Sequence, residues 1–164
     1  MLVLHGTYCA AIDPGKKGAM AFCDYKGRVW VEEMPEEAKD QCDMLRDWRD
    51  LAGAEGCGVT AILEKVGEYF PKSKAAASSV VKLARHNGEL FGFLTGLTIP
   101  FREVRPAVWM RKVVPDLPSG YKGGVSQARK NLIKEQVQSA FPHIRVTLQT
   151  ADALGLLLYL LRGG

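Results

Sequence analysis

Three acidic residues occupy positions in the sequence where a carboxylate could do chemistry. Asp13 ends an apolar run and precedes Pro-Gly, Glu64 ends a second apolar run, and Asp152 lies near the start of the last one. Oxygen ligands grouped without His or Cys are those that Mg²⁺ and Mn²⁺ prefer, and two such ions can promote phosphodiester hydrolysis. Each acid also has a structural interpretation. Asp13 would shape a turn, Glu64 would pair with Lys65, and Asp152 would complement a helix dipole.

Hydrophobic patterning predicts the elements that would position these acids. Strands are predicted at 7–13, 18–23, 28–33, 59–64 and 101–104, and helices at 36–52, 75–97, 105–113, 126–141 and 149–161. A hairpin followed by alternating helices and strands indicates an α/β fold, with a mixed five-stranded sheet flanked by helices. In this order the first and fourth strands are neighbours. We therefore expect Asp13 and Glu64 to lie side by side at one end of the sheet.

The length of 164 residues, with 47% hydrophobic and 24% charged residues, indicates a single domain over 1–164. It excludes disorder or a coiled coil for the whole chain. Cys9, Cys23, Cys42 and Cys57 lack zinc-ligand spacing and are predicted to be reduced, in a cytosol-like compartment. The opening Met-Leu-Val-Leu is too short for a signal peptide, and residues 153–161 are too few to span a membrane. We expect a cytoplasmic protein without membrane contact.

The charge is divided unevenly along the chain. Residues 1–60 carry 7 basic and 11 acidic side chains, whereas residues 61–164 carry 15 basic and 7 acidic ones. Such a division suggests that the second half presents a surface to a polyanion. A solvated basic face without a partner is the alternative.

Four segments resemble one family in order and spacing. They are Asp13-Pro-Gly-Lys-Lys-Gly18, Ala61-Ile-Leu-Glu64, Val104-Arg-Pro-Ala-Val-Trp109 and Ala151-Asp152-Ala-Leu. Together they resemble RuvC-type Holliday junction resolvases, members of the RNase H-like nuclease superfamily. The first segment alone would also suit the phosphate loop of sugar-kinase and actin-like ATPases, but those need two such domains and a longer chain.

The resemblance implies a homodimeric, Mg²⁺-dependent endonuclease that resolves four-way DNA junctions by paired symmetric nicks. It implies an RNase H-like fold and two Mg²⁺ ions per active site, with Mn²⁺ able to substitute. Asp13, Glu64 and Asp152 match the catalytic metal ligands. Lys130, eleven residues before Phe141, matches a catalytic lysine that the family keeps near the scissile phosphate. A helicase partner is left open, as is the choice between a bacterial, phage or organellar source.

Gln149 departs from the family pattern, which has Asp or His three residues before the last Asp. A Gln carbonyl can bind a hard cation but adds no negative charge, so Gln149 would be an auxiliary metal ligand. His143 or Glu68 could approach the site instead. Gln149 therefore suggests an alternative function, a junction- or branched-DNA binding protein with an impaired nuclease site. A separate alternative is another RNase H-like nuclease, acting on RNA–DNA hybrids.

Basic and aromatic residues of the second half are the predicted DNA-binding set. Aromatic rings beside basic residues suit stacking on unpaired bases, and basic side chains neutralise phosphates. The predicted set is Tyr69, Phe70, Lys72, Lys74, Lys82, Arg85, Arg105, Arg111, Lys112, Lys122, Arg129 and Lys134. Gly88, Gly92 and Gly96 recur on one helix face, where either the protein's own sheet or a second subunit could approach. The resemblance favours a second subunit.

Overall fold

A computed structural model describes residues 6–66, 74–114 and 125–164. The strands are β1 (Thr7–Asp13), β2 (Ala19–Cys23), β3 (Val29–Glu33), β4 (Gly58–Glu64) and β5 (Phe101–Val104). The helices are α1 (Ala38–Ala54), α2 (Lys74–Gly96), α3 (Pro106–Val113), α4 (Val125–Ala140) and α5 (Ala151–Leu161). Every predicted strand and helix is present, with ends that differ from the predictions by no more than a few residues. Of the side chains at 74–76 and 125–126, nothing is described.

The five strands form one mixed sheet in the order β3-β2-β1-β4-β5. β2 pairs antiparallel with β1 and β3, and β4 pairs parallel with β1 and β5. The β1–β4 register ends with Ile12 opposite Leu63, so the next residues on these strands are Asp13 and Glu64. The predicted mixed sheet, with the first and fourth strands adjacent, is confirmed.

Helices cover both faces of the sheet. Successive side chains of a strand point to opposite faces, and β1 divides accordingly. Cys9 and Ala11 pack in a core with α3, α4 and α5, whereas Tyr8 and Ile12 pack in a second core with α1 and α2. Asp13 lies two residues after Ala11, so the same alternation directs its side chain toward the α5 side of the sheet. Ile62 belongs to the α5-side core, so Glu64 is directed to the same face.

Helix α1 buries most of the face that its amphipathic pattern predicts. The pattern predicts a core-facing set of Cys42, Leu45, Trp48, Leu51 and Ala52. Leu45, Trp48 and Ala52 are buried, but Cys42 is half-buried and Leu51 is 43% exposed. Gln41, which the pattern leaves outside the core, is buried as well. The polar Gln41 can be buried because its amide donates to the carbonyl oxygen of Pro35 at 2.8 Å.

Helix α5 is apolar and buried along its length, apart from the partly exposed Asp152. It begins at Ala151, two residues later than predicted. Thr147 and Thr150 exchange hydrogen bonds between their backbone N–H groups and hydroxyl oxygens, at 3.0 and 3.2 Å, which forms a separate turn before the helix. Within the described residues, no helix combines the length and the apolar character that crossing a bilayer would need.

Candidate functional site

The three acids predicted from the sequence meet at one end of the sheet. Asp13 and Glu64 close the adjacent parallel strands β1 and β4, and Asp152 lies in the first turn of α5, which packs on β1 and β4. Their charges act on one another: Glu64 and Asp152 both raise the pKa of Asp13, and Asp152 raises the pKa of Glu64. The structure therefore brings together residues that are far apart in the sequence.

Burial dominates the electrostatics of this cluster. Loss of solvation, reinforced by the charges of Glu64 and then Asp152, raises the pKa of Asp13 to about 8. Burial raises the pKa of Glu64 to about 7, although a hydrogen bond from Trp109 acts in the opposite direction. Burial also raises the pKa of Asp152. A buried group of like charges is unfavourable unless protons or a cation neutralise it.

Lys130 is the basic residue of α4 that acts on this cluster. Its ammonium charge lowers the pKa of both Asp13 and Asp152, and its side chain is exposed. It is the one cation whose charge shifts these acids within the described part of the chain. The structure thus places the predicted lysine beside the predicted acids, and an exposed ammonium at that position suits contact with a phosphate.

Trp109 positions Glu64 through a hydrogen bond, and the sequence did not predict this contact. The fully buried indole of Trp109 donates from Nε1 to Oε2 of Glu64 at 2.7 Å. Gly155 of α5 makes room for the indole, because a Cβ there would lie 2.7 Å from Cζ3 of Trp109. Among the described residues Glu64 forms no ion pair with Lys65, so the ion-pair interpretation of Glu64 is wrong.

Gln149 lies in the turn before α5, against the segment that follows Asp13. Its Nε2 donates to the carbonyl oxygen of Gly18 at 3.5 Å, a long hydrogen bond. Gly18 is itself tightly enclosed, since a Cβ there would lie 2.0 Å from the carbonyl oxygen of Asp13. His143 is exposed in the turn after α4, and Glu68 lies outside the described residues.

The donor chemistry of the cluster fits a hard divalent cation. Asp13, Glu64 and Asp152 offer carboxylate oxygens, and Gln149 offers an amide oxygen, with no thiolate or imidazole among them. Within 6–66, 74–114 and 125–164, however, no three or more His, Cys, Asp or Glu side chains are arranged closely enough to hold an ion. Adjacent carboxylates repel one another, so a tighter arrangement would need a cation between them.

The predicted DNA-binding residues are spread over several elements. Arg105 precedes α3, and Arg111 and Lys112 lie in its last turn, all exposed. The Lys112 ammonium lies over the ring of Tyr159 at 5.4 Å, about two turns along α5 from Asp152. This position separates Lys112 from the acids.

The remaining members of the set differ in their surroundings. Lys82 lines a cavity beside Gly15, and Arg85 forms an ion pair with Glu89 at 2.9 Å. Arg129 is exposed next to Lys130 on α4, whereas Lys134 is half-buried. Tyr69, Phe70, Lys72 and Lys122, together with the side chain of Lys74, lie outside the described residues.

The glycine face of α2 is open. Gly88, Gly92 and Gly96 are exposed, and a Cβ at any of them would meet nothing within 4 Å. The protein's own sheet therefore does not use this face, and that alternative is wrong. Phe91 on the same helix is 46% exposed and packs edge-on against Phe101, with ring centroids 4.9 Å apart.

Comparison with known proteins identifies the fold. No protein-family model matches the sequence, and no curated protein matches it. Among solved structures the chain is similar to RuvC of Thermus thermophilus, with a TM-score of 0.53 and 15% identity over 93% of this chain and 92% of that one. It is also similar to T. thermophilus RuvC in complex with a Holliday junction substrate, with a TM-score of 0.50 and 14% identity over 93% and 91% of the two chains. The fold is RNase H-like. At this identity the similarity establishes the RNase H-like fold and leaves the activity to be argued from the site.

Proposed function

We propose that this protein is a Mg²⁺-dependent endonuclease that cuts four-way DNA junctions. The observation that carries the proposal is the convergence of the partly buried Asp13, Glu64 and Asp152 at one end of the sheet, beside the exposed Lys130. The similarity to a RuvC structure that contains a Holliday junction substrate supports the choice of DNA. The basic second half of the chain supports a polyanionic substrate.

The proposed roles follow from where each side chain lies. Asp13, whose pKa responds to the charges of both Glu64 and Asp152, would hold the metal ions together with those two acids. Gln149 would contribute an amide oxygen, and Trp109 would hold Glu64 in place through the 2.7 Å hydrogen bond. Lys130 would stabilise charge on the phosphate. Bound Mg²⁺ would supply Lewis-acid activation of water and of the phosphate.

A homodimer would place two such sites symmetrically, which suits paired nicks across a two-fold junction. We propose that the open glycine face of α2 contacts a second copy of the chain. The neighbouring Phe91 supports this, because its apolar ring on the same helix is 46% exposed.

The second candidate is a junction-binding protein with an impaired nuclease site. Gln149 favours it, since an amide in place of a carboxylate weakens attraction for a second cation. Tight junction binding without cleavage in either metal would support this candidate.

The experiment uses a labelled synthetic four-way junction, a matching linear duplex and an RNA–DNA hybrid, each with Mg²⁺ or Mn²⁺. We expect nicks in the junction alone, with cleavage abolished in Asp13→Asn. Asp50→Asn, an exposed Asp on α1, is the matched control and should cut like the wild type. No junction cleavage in either metal, or full activity of Asp13→Asn, would exclude the proposed nuclease. Preferential cutting of the hybrid would reassign the substrate.

A further inference from the structure

A chain of hydrogen bonds links the turn after Asp13 to helices α1 and α2. The backbone N–H of Gly15 donates to Nδ1 of His86 at 2.8 Å, and Nε2 of His86 lies 2.9 Å from Oε1 of Gln41. The orientation of Gln41 is fixed, because its Nε2 donates to the carbonyl oxygen of Pro35. Its Oε1 can only accept, so Nε2 of His86 carries the hydrogen and Nδ1 is the acceptor. Both contacts of His86 therefore require the same neutral tautomer.

The shape of the turn also depends on α2. Gly15 has φ +117°, and a Cβ there would lie 3.3 Å from Cδ1 of Leu83, which is one turn of α2 before His86. The turn closes on itself through a hydrogen bond from the Gly18 N–H to the Gly15 carbonyl oxygen at 2.9 Å. Gly15 is therefore held by α2 on one side and by its own turn on the other.

The Gly15 N–H is also a donor that the Asp13 carboxylate could take if His86 did not accept it. Aspartates in turns commonly accept a hydrogen bond from the backbone N–H two residues later, and Gly15 is two residues after Asp13. In this structure His86 accepts that hydrogen bond, and the Asp13 carboxylate accepts none from the described residues. A carboxylate committed to its own backbone would be a poorer cation ligand, because one oxygen and part of its charge would be engaged.

We propose that His86 is a positioning residue: by accepting the Gly15 N–H, it keeps the Asp13 carboxylate available to a divalent cation. This inference rests on the proposed nuclease function. His86 touches neither the cation nor the substrate and acts through Gly15.

The surroundings of His86 support the neutral form that this role needs. Burial lowers the pKa of His86, while the charge of Glu89 on the same helix acts in the opposite direction. The cavity beside His86 is also lined by two exposed cations, Lys16 and Lys82, and by two exposed anions, Glu36 and Glu37. Lys16 and Glu36 form an ion pair at 3.4 Å.

The first test measures Mn²⁺ binding by calorimetry for the wild type, His86→Ala and His86→Asn. Alanine removes the acceptor, and asparagine keeps an acceptor oxygen close to the position of Nδ1. We expect His86→Ala to bind Mn²⁺ about five-fold more weakly, the equivalent of one hydrogen bond. His86→Asn should stay within about two-fold of the wild type, and junction binding in EDTA should be the same for all three chains. Cleavage by His86→Ala should recover at saturating Mn²⁺.

The second test needs no metal. Long-range ¹H–¹⁵N spectra of the wild type should show the Nε2–H tautomer of His86, whose signals are assigned by their loss in His86→Ala. An Nδ1–H tautomer would overturn the proposal, as would wild-type Mn²⁺ affinity in His86→Ala. Equal loss of affinity in both variants, with folding intact by circular dichroism, would also overturn it, because packing alone would then explain the effect. A wild type that binds no Mn²⁺ would instead refute the proposed nuclease, and this result is visible without any variant.

Discussion

Asp13→Asn should stabilise the metal-free protein, and the gain should depend on pH. Asparagine has the shape of a protonated aspartic acid but never ionises. In the folded protein, burial and the charges of Glu64 and Asp152 raise the pKa of Asp13 to about 8, against about 3.9 for an unfolded chain. The folded state therefore binds the proton more tightly than the unfolded state. Raising the pH between these two values destabilises the wild-type fold, and the variant escapes this loss.

The magnitude follows from the interval between the two pKa values. Each pH unit above about 3.9 costs about 1.4 kcal/mol until the folded group ionises, so the cost at pH 7 is roughly 4 kcal/mol. This is an upper limit, because Glu64 and Asp152 share protons with Asp13 and relieve part of it. We expect Asp13→Asn to raise the free energy of unfolding by roughly 2–4 kcal/mol at pH 7, by more at pH 9 and by about zero at pH 4.

Urea unfolding in EDTA, followed by tryptophan fluorescence at the three pH values, measures this difference. Asp50→Asn is the matched control and should stay within about 0.5 kcal/mol of the wild type throughout. Adding millimolar Mg²⁺ at pH 7 should stabilise the wild type and leave Asp13→Asn unchanged, because ligand binding stabilises only the state that binds it. A variant less stable than the wild type at pH 7, or a difference that is the same at pH 4 and pH 9, would refute the electrostatic reasoning.

Three further substitutions test how the site and the dimer are built. Trp109→Phe removes the N–H that holds Glu64, so we expect the free energy of unfolding to fall by about 1–2 kcal/mol and cleavage to require several-fold more Mg²⁺. An unchanged Mg²⁺ requirement would contradict the role of the indole. Gly155→Ala places a Cβ 2.7 Å from the Trp109 ring, so its free energy of unfolding in urea should be lower than that of the wild type by about 1–3 kcal/mol. Gly53→Ala, where a Cβ meets nothing within 4 Å, is its control and should lose no stability. Gly92→Leu should shift sedimentation from dimer toward monomer. If this variant still sediments as a dimer, as the wild type is expected to do, the two copies do not meet at this face.

The sheet and the position of two acids could be predicted because both depend on local pattern. The apolar run at residues 7–13 gives β1 its observed bounds, and the order of the elements makes β4 its neighbour. Strand alternation then assigns Asp13 and Glu64 to the same face, since each follows a core residue two positions earlier. No contact between distant residues had to be known for this.

The groups that support the acids could not be predicted, because each depends on a contact between residues far apart in the sequence. Trp109 and Glu64 are 45 residues apart, and His86 and Gly15 are 71 apart. Gln41 shows the same difficulty. Hydrophobic patterning predicts that a polar side chain is exposed. Burial of Gln41 is favourable only because its amide hydrogen-bonds to Pro35 and His86 in the folded chain. The turn that makes α5 begin two residues later than predicted likewise depends on hydrogen bonds to threonine hydroxyls, which hydrophobic patterning does not take into account.

The direction of the pKa shifts separates the two interpretations of the acids. A turn aspartate that accepts backbone hydrogen bonds, a glutamate paired with lysine and an aspartate capping a helix dipole would each have a lowered pKa, because each arrangement stabilises the charged form. All three pKa values are raised instead, even though Trp109 acts on Glu64 and Lys130 on Asp13 and Asp152 to lower them. The fold thus holds three carboxyl groups where their ionised forms are unfavourable. A bound cation would reverse the sign of that interaction, and this is why we favour a metal site over a structural role for these residues.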